Sequence, residues 1–230
     1  MKITWLGHSG FRIEIGDQIL LVDPWLTGNP SFPDARRAEA VEGVTHVLLS
    51  HAHFDHAGDA VAIARDRQVP LVGIFDLISY WEKADGIAGV GFNKGGTVML
   101  GDVAVTMVTA VHSSSIGTDR GPMYAGSEAG FMIAHGGRTI YFSGDTDVTM
   151  EMDLMQALHA PEIGILCCGG HFTMDMRRAA YAAKRFFEFR TVIPCHYQTF
   201  PLLAQSADDL IVGLPGVDVR TPQVMQTLEL

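Results

Sequence analysis

The stretch Thr45-His46-Val47-Leu48-Leu49-Ser50-His51-Ala52-His53-Phe54-Asp55-His56 decides how this sequence is interpreted. Its first half is a short apolar run, which predicts a buried β-strand from Thr45 to Leu49. Its second half carries three histidines and one aspartate within six residues, and imidazole and carboxylate groups are common ligands of transition metals. The simpler alternative is a solvated loop that happens to be rich in histidine. Partners elsewhere in the chain decide between these two interpretations.

Four further apolar runs also end in a possible metal ligand. In open α/β sheets, ligands bind beyond the carboxyl ends of the strands, so residues that follow different strands can meet at one rim. Taken singly, a histidine or aspartate at a strand end is more often a cap or a turn residue. The repeated placement favours one convergent site. The residues that follow the four runs are His112, Asp145, His171 and His196.

The turn from His51 to His56 holds too many donors for one small cation, because neighbouring side chains splay apart. We therefore predict two metal ions. The first would bind to His51, His53 and His112, and the second to Asp55, His56 and His196. Asp145 is predicted to bridge them, because a carboxylate has two anionic oxygens whereas a neutral imidazole has one lone pair. Two ions about 3.5–4 Å apart can share a water molecule and lower its pKa towards about 7.

Composition narrows the class of protein. The 230 residues are 47% hydrophobic and 18% charged, which predicts a single globular domain over residues 1–230. A formal net charge of −10 opposes binding to nucleic acid. We see neither a secretory signal pattern nor an apolar run of membrane-spanning length, so we expect a cytoplasmic protein. We expect the protein to bind a small-molecule substrate and to bind neither nucleic acid nor a membrane. Assembly into a homo-oligomer is left open.

The order of the apolar and helical patterns predicts an α/β fold. Strands are predicted over residues 2–6, 11–15, 19–22, 45–49, 70–74, 98–100, 103–111, 131–134, 139–142, 163–167 and 191–194. Helices are predicted over residues 34–41 with Asp34 as the N-cap, 59–65, 150–158 and 174–189. Residues 113–128 are rich in Ser and Gly and have no periodicity. Long loops of that kind are often functional, so we predict a lid over the site.

Several short motifs, in their order along the chain, resemble a known family. His51-x-His53-x-Asp55-His56 is followed by His112, Ser143-Gly144-Asp145-Thr146 and Pro194-Cys195-His196-Tyr197. This set resembles the metallo-β-lactamase superfamily of dinuclear hydrolases. The segments 5–11, 112–115 and 170–174 are most similar to its bacterial and archaeal metal-dependent hydrolases related to the ascorbate 6-phosphate lactonases.

The resemblance covers nearly the whole sequence, and it implies both a fold and a set of ligands. The fold would be a four-layer αβ/βα sandwich, with two mixed β-sheets face to face and helices outside. The implied metal ligands are His51, His53, Asp55, His56, His112, Asp145 and His196. Relatives tend to have an apolar residue where this chain has Cys195. A thiol there could be a soft extra ligand or a redox group, although strand alternation favours packing.

The predicted function is metal-dependent hydrolysis by a hydroxide that two metal ions generate. The substrate would be a small ester or lactone, phosphorylated or not, and a phosphodiester is the alternative. A diiron redox enzyme and a non-catalytic metal-binding protein are less favoured. Asp55 would bind metal and orient the water, while His171 would protonate the leaving group or hold the oxyanion. Zinc is the first choice of metal, and manganese, iron or nickel would suit the same donors.

Three further residues are candidates for contacts around the metals or the substrate. His8 follows the first strand and could hydrogen-bond to a metal ligand, or it could simply pack at the strand end. Asp23 precedes a proline after the third strand, where it could orient a ligand histidine or merely form a turn. Arg120, in the predicted lid, could meet an anionic group of the substrate, although solvation is the simpler role.

Overall fold

The computed structural model describes residues 1–230, and its strands form two large sheets and one small one. The strands are β1 (Lys2–Trp5), β2 (Phe11–Ile15), β3 (Gln18–Val22), β4 (His46–Leu49), β5 (Leu71–Ile74), β6 (Gly89–Phe92), β7 (Thr97–Leu100), β8 (Val103–Thr109), β9 (Ser115–Thr118), β10 (Gly121–Tyr124), β11 (Ala129–His135), β12 (Arg138–Phe142), β13 (Ile163–Cys167), β14 (Thr191–Cys195), β15 (Asp218–Val219) and β16 (Thr227–Glu229). The α-helices are α1 (Arg37–Ala40), α2 (Phe54–Ala57), α3 (Ala60–Arg67), α4 (Phe75–Asp85), α5 (Glu151–His159), α6 (Met176–Phe186) and α7 (Asp208–Gly213).

Each large sheet has seven strands and combines antiparallel and parallel pairing. The first has the order β16-β1-β2-β3-β4-β5-β6, and it changes from antiparallel to parallel pairing at β3. The second has the order β15-β14-β13-β12-β11-β8-β7, with parallel pairing from β12 to β15. Completely buried strands such as β5, β13 and β14 lie in the parallel parts, as expected where both faces of a sheet are covered.

The two sheets pack face to face through large side chains. Phe11 of β2 meets Phe142 of β12 with ring centroids 6.2 Å apart, and Phe92 of β6 stacks on Phe131 of β11 at 6.3 Å. A continuous core of 67 buried residues includes side chains of both sheets. Helices α3 and α4 pack outside the first sheet, and α6 packs outside the second. The structure thus confirms the predicted α/β fold of two mixed sheets with outer helices.

Two local predictions are wrong. Residues 34–41 form a 3₁₀ turn over Asp34–Arg36 followed by the short helix α1, and Pro33 rather than Asp34 occupies the N-cap position without a capping hydrogen bond. Residues 113–128 are not an irregular lid, because they contain the hairpin β9–β10, in which Ser115 pairs with Tyr124. Cross-strand pairing inside a Ser- and Gly-rich segment leaves little apolar alternation, so the sequence pattern did not reveal it.

The helix predicted over 174–189 is shorter in the structure. It begins after Asp175, whose side chain caps it by accepting a hydrogen bond from Arg178 N at 2.8 Å, and it ends at Phe186. Phe187 and Phe189 leave the helix because they stack on each other with centroids 4.5 Å apart and on the buried ring of Tyr141. No helix of the structure combines the length and apolarity that crossing a bilayer demands.

Candidate metal centre

The predicted donors gather where strands of both sheets end. His51 follows β4, His53 is the N-cap residue of α2, and Asp55 and His56 lie within that single helical turn. From the second sheet, His112 follows β8, Asp145 follows β12 and His196 follows β14. Gly144 makes the approach to Asp145 possible, because its φ is +57° and a Cβ there would lie 2.3 Å from the carbonyl oxygen of Ala129.

His51, His53 and His112 form the first group of donors. Their candidate ligand atoms all lie within 4.8 Å of one another. His51 Nε2 faces His53 Nδ1 at 3.0 Å, and the His112 ring lies 5.3 Å from that of His51 and 5.2 Å from that of His53. Burial lowers the pKa of all three imidazoles. The rings are therefore neutral at pH 7, which leaves lone pairs free for a cation.

Asp55, His56, His196 and His8 form the second group, with ligand atoms again within 4.8 Å. His196 Nε2 lies 3.7 Å from Asp55 Oδ2. Burial acts to lower the pKa of His56, but the carboxylates of Asp145 and Asp23 outweigh it, so that this pKa is well above the usual value. A metal ion at His56 must displace that proton, since only the neutral ring coordinates through Nε2.

Asp145 joins the two groups. Its Oδ2 lies 3.3 Å from His56 Nε2, 3.6 Å from His112 Nε2 and 3.0 Å from His196 Nε2. Its Oδ1 is buried and has no hydrogen-bond partner. Burial acts to raise the pKa of Asp145, but His196 and His56 outweigh it and hold the pKa well below its usual value. An ionised, completely buried carboxylate thus stands between the two histidine groups.

These residues fit the binding of divalent metal. Ligand atoms on a tetrahedral zinc ion lie about 3.3 Å apart, because zinc–nitrogen and zinc–oxygen bonds are about 2.0 Å long. The distances around Asp145 Oδ2 are of that size. Three buried polar atoms of the cluster, His56 Nε2, Asp145 Oδ1 and His196 Nδ1, have no hydrogen-bond partner, and orphaned atoms of this kind are rare unless an ion or water completes them.

Asp23 holds two of the histidines in orientation. Its carboxylate accepts hydrogen bonds from His56 Nδ1 at 2.7 Å, from Ser50 Oγ at 2.5 Å and from Ser50 N at 2.8 Å. Ser50 Oγ is also 3.0 Å from His51 Nδ1, and because this hydroxyl donates to Asp23 it accepts from His51. Both rings therefore carry a proton on Nδ1 and turn Nε2 towards the cluster, an arrangement common around metal sites.

His8 is completely buried and contacts Asp55. Its Nε2 lies 3.0 Å from Asp55 Oδ2, and its Nδ1 lies 2.5 Å from Thr199 Oγ1. Burial lowers the pKa of His8 to about 4, although the hydrogen bond to Asp55 acts in the opposite direction. Burial acts to raise the pKa of Asp55, yet the hydrogen bond from His8 and the charge of His56 outweigh it and bring the pKa below the usual value. Asp55 is thus held ionised and oriented.

Backbone strain is concentrated at the site. Eight non-glycine residues have positive φ, and four of them are candidate site residues, namely His8 at 52°, Asp23 at 46°, His171 at 57° and His196 at 57°. The left-handed conformation costs a non-glycine residue about 1–2 kcal/mol, so it persists only where the surroundings impose it. Functional sites are where such strain typically collects.

His171, Arg120 and Cys195 are not among the clustered donors. His171 is exposed, and its ring packs edge to face on Phe172 with centroids 4.4 Å apart. Arg120 is exposed at the turn between β9 and β10. The catalytic role of His171 and the substrate contact of Arg120 stay predictions. Cys195 is buried, burial raises its pKa well above the usual value, and it belongs to neither donor group, which agrees with packing.

A cavity of about 590 Å³ opens over the cluster. Its lining includes five metal donor candidates, His53, Asp55, His112, Asp145 and His196, together with Ser113. The other lining residues are Phe54, Phe172, Phe200, Pro201 and Leu202, here called the apolar wall. Of the segment predicted to be a lid, only Ser113 lines the cavity, so the β9–β10 hairpin does not cover it.

Sequence reasoning missed Ser50, Thr199 and the apolar wall. Ser50 could have been noticed because it stands between the end of β4 and His51, where a hydroxyl can reach a ring nitrogen. Thr199 and the residues of the wall carry no comparable signal. Apart from Phe54 in α2, they lie in loops and turns whose positions depend on the whole fold.

Comparison with known proteins defines the class. A family model described as a beta-lactamase superfamily domain matches residues 2–196, a range that includes every predicted metal donor. The chain therefore belongs to the beta-lactamase superfamily, and its two mixed sheets with outer helices form the metallo-β-lactamase fold.

Close relatives define the family further. A UPF0173 metal-dependent hydrolase of Dinoroseobacter shibae is 69% identical over 230 residues, covering 100% of both chains. Another, of Paracoccus denitrificans, is 61% identical with the same coverage. The chain belongs to this family of metal-dependent hydrolases. Among solved structures, Igni18, described as a novel metallo hydrolase from the archaeon Ignicoccus hospitalis, matches with a TM-score of 0.87 and 30% identity, over 99% of this chain and 97% of that chain.

Proposed function

We propose that this chain hydrolyses a small ester or lactone with the aid of two divalent metal ions, zinc being the first choice. The observation that carries the proposal is the position of Asp145 Oδ2, which lies 3.0–3.6 Å from Nε2 atoms of both histidine groups. A buried carboxylate shared between two groups of histidines suits a bridging ligand. A small-molecule substrate, a cytoplasmic location and the absence of nucleic-acid and membrane partners belong to the same proposal.

Each group of residues has a distinct role in this proposal. When bound, the ions supply a water molecule of lowered pKa and a positive charge that stabilises the developing oxyanion. His51, His53 and His112 would hold one ion, Asp55, His56 and His196 the other, and Asp145 both. Asp23 and Ser50 fix the ring orientations of His51 and His56, so that Nε2 of each ring points inward before any ion arrives.

Asp55 has the position expected of the residue that orients the attacking water. It lines the cavity, and its side chain is 13% exposed, so an oxygen reaches the space in which substrate would lie. His8 donates to it at 3.0 Å and keeps it ionised, and an ionised carboxylate can accept a hydrogen from water. We keep His171 as the proposed proton donor to the leaving group, because its ring packs on Phe172, which lines the cavity.

The test combines metal analysis with a substrate screen. The purified protein should hold two equivalents of divalent metal and hydrolyse members of an ester and lactone panel, with activity lost on chelation and restored by zinc or manganese. Asp55→Ala should lower kcat at least about 100-fold without loss of the folded state, because it removes both a metal ligand and the group that orients the water. The matched control Asp66→Ala, at an exposed position of α3, should leave kcat unchanged.

Four outcomes would contradict the proposal. One equivalent of metal or none would refute the two-ion arrangement. Turnover of phosphodiesters without turnover of esters or lactones would replace the proposed substrate class. Full metal loading without turnover of any substrate would favour a non-catalytic metal-binding protein, and oxygen-dependent chemistry with iron would favour a redox enzyme.

A further inference from the structure

The cavity beside the metal donors has two chemically different sides. One side consists of the metal donor candidates and Ser113, and the other is the apolar wall. A substrate that reaches the donors must therefore lie against the wall as well. The chemical character of the wall therefore determines which kind of substituent the substrate can have next to its reactive group.

The apolar wall exposes large hydrophobic side chains. Phe54 is 67% exposed, Phe172 is 48% exposed and Leu202 is 63% exposed, and all three face one cavity with Phe200 and Pro201. Single exposed hydrophobic residues are ordinary on a protein surface, but a contiguous group marks a surface that binds something apolar. The three segments that supply the wall are far apart in the sequence and meet only at the mouth of the metal centre.

Two residues of the wall, Phe54 and Phe200, are held by neighbouring side chains. Trp25 is buried and packs edge to face on Phe54 with centroids 5.6 Å apart, and it stacks on Phe200 at 5.6 Å. Trp25 Nε1 donates to the carbonyl oxygen of Thr27 at 3.0 Å. On the other side, Gln205 Nε2 donates to the carbonyl oxygen of Phe200 at 3.1 Å. Phe54 and Phe200 are thus held in place, so an apolar group binds against them without the cost of ordering their rings.

The cavity offers no cationic side chain to an anionic substituent. None of its lining residues is a lysine or an arginine, and the polar members other than Ser113 are metal donor candidates. Recognition of a phosphate or carboxylate usually depends on Arg or Lys, or on several backbone N–H groups. The formal net charge of −10 further opposes the approach of an anion.

We propose that the substrate carries an uncharged aromatic or aliphatic substituent that binds to the apolar wall while its ester or lactone carbonyl lies at the metal donors. This inference rests on the proposed hydrolase function and narrows it, because it excludes a phosphorylated or carboxylated substituent at this position. Phe54, Phe172 and Leu202 determine specificity. They do not take part in bond cleavage.

The test compares three ethyl esters that differ only in the acyl substituent. Ethyl butyrate is short and neutral, ethyl 4-phenylbutyrate adds an apolar ring, and monoethyl succinate adds a carboxylate. Proton release in a pH-stat with the metal-loaded protein gives kcat/KM for each. We expect ethyl 4-phenylbutyrate to exceed ethyl butyrate at least tenfold and monoethyl succinate to be the poorest, since burial of a few apolar groups changes kcat/KM by about 10- to 200-fold.

Two variants and one control locate the effect. Leu202→Ala should lower kcat/KM for ethyl 4-phenylbutyrate about tenfold, whereas kcat/KM for ethyl butyrate should stay within about twofold of the wild-type value. Leu202→Arg should raise kcat/KM for monoethyl succinate, because it supplies the missing cation. The matched control is Leu158→Ala, which removes a 75% exposed leucine at the end of α5, outside the cavity. This variant should leave kcat/KM unchanged for all three esters.

A binding measurement separates the two proposals. Titration of the metal-free protein with 4-phenylbutyramide, an uncharged and unreactive analogue, should change the tryptophan fluorescence saturably, because Trp25 packs on Phe54 and Phe200. Leu202→Ala should weaken this binding about tenfold. If ethyl butyrate is hydrolysed but the phenyl group brings no gain, or if monoethyl succinate is preferred, the substrate inference is wrong and the hydrolase function stands. If no ester is hydrolysed although 4-phenylbutyramide binds at the wall, the hydrolase function fails instead.

Discussion

Replacement of Asp23 by asparagine tests whether the metal centre is organised before metal binds. The carboxylate of Asp23 accepts three hydrogen bonds, from His56 Nδ1, Ser50 Oγ and Ser50 N, at 2.7, 2.5 and 2.8 Å. In Asp23→Asn, one amide oxygen can still accept from Ser50 N. The amide nitrogen, however, would face the N–H of His56, so this buried donor would lose its acceptor.

The expected loss follows from these contacts. A buried hydrogen bond to a charged group contributes about 1.5–3 kcal/mol, so the free energy of unfolding of the metal-free protein should fall by about 3 kcal/mol. His56 can relieve the clash only by losing the proton on Nδ1 and keeping one on Nε2, the atom that faces Asp145 at 3.3 Å. That tautomer cannot bind a metal ion through Nε2. Loss of such an orienting group typically weakens metal binding about 10- to 100-fold, or by about 1.4–2.7 kcal/mol.

The assay measures both quantities in the same two variants. Urea unfolding of metal-free protein gives stability, and competition with a chromophoric chelator gives zinc affinity. Asp59→Asn is the matched control, because Asp59 is also a buried aspartate, accepting from Leu26 N at 2.7 Å, Thr27 N at 2.8 Å and Arg37 Nη1 at 2.7 Å, yet it contacts no metal donor. It should lose stability and keep its zinc affinity. Wild-type zinc affinity in Asp23→Asn would refute the reasoning.

Two further predictions concern the charges of the cluster. Asp145→Asn should hold fewer than two equivalents of zinc in elemental analysis. Asp145 Oδ2 lies near both histidine groups, and an uncharged amide, with its single weak donor oxygen, is a poor replacement for that carboxylate. Two tightly held equivalents in the variant would contradict this prediction. Burial lowers the pKa of His8 from 6.5 to about 4, so the unfolded chain binds more protons than the folded one between these values and stability must fall as the pH falls through this range. At about 1.4 kcal/mol per pKa unit, His8 contributes about 3 kcal/mol to this loss of stability. In urea unfolding of the metal-free protein, His8→Gln should therefore lose about 3 kcal/mol less free energy of unfolding over this pH range than the wild type. Equal losses in variant and wild type would refute this role of His8.

Much of the fold could be predicted because most strands are short apolar runs that can be recognised from the local sequence. Runs such as Thr139–Phe142 and Ile163–Cys167 are apolar and short, and the turn Gly136-Gly137, with φ of 59° and 78°, joins β11 to β12 as the sequence predicted. Helix α4 was not predicted, because β5 runs directly into it at Ile74 without a capping side chain or a turn residue. The hairpin β9–β10 was missed because its strands pair mainly with each other and have no buried face.

The sequence by itself determined which side chains could hold metal, since each donor follows an apolar run and strand ends converge in folds of this class. The tertiary structure decided how those donors are used. Only the folded chain brings Asp145 between two histidine groups and places Asp23 against Ser50 and His56. It alone assembles Phe54, Phe172 and Leu202 into one wall. Contacts between residues far apart in sequence depend on how the two sheets pack, and local patterns of polarity carry no record of that packing.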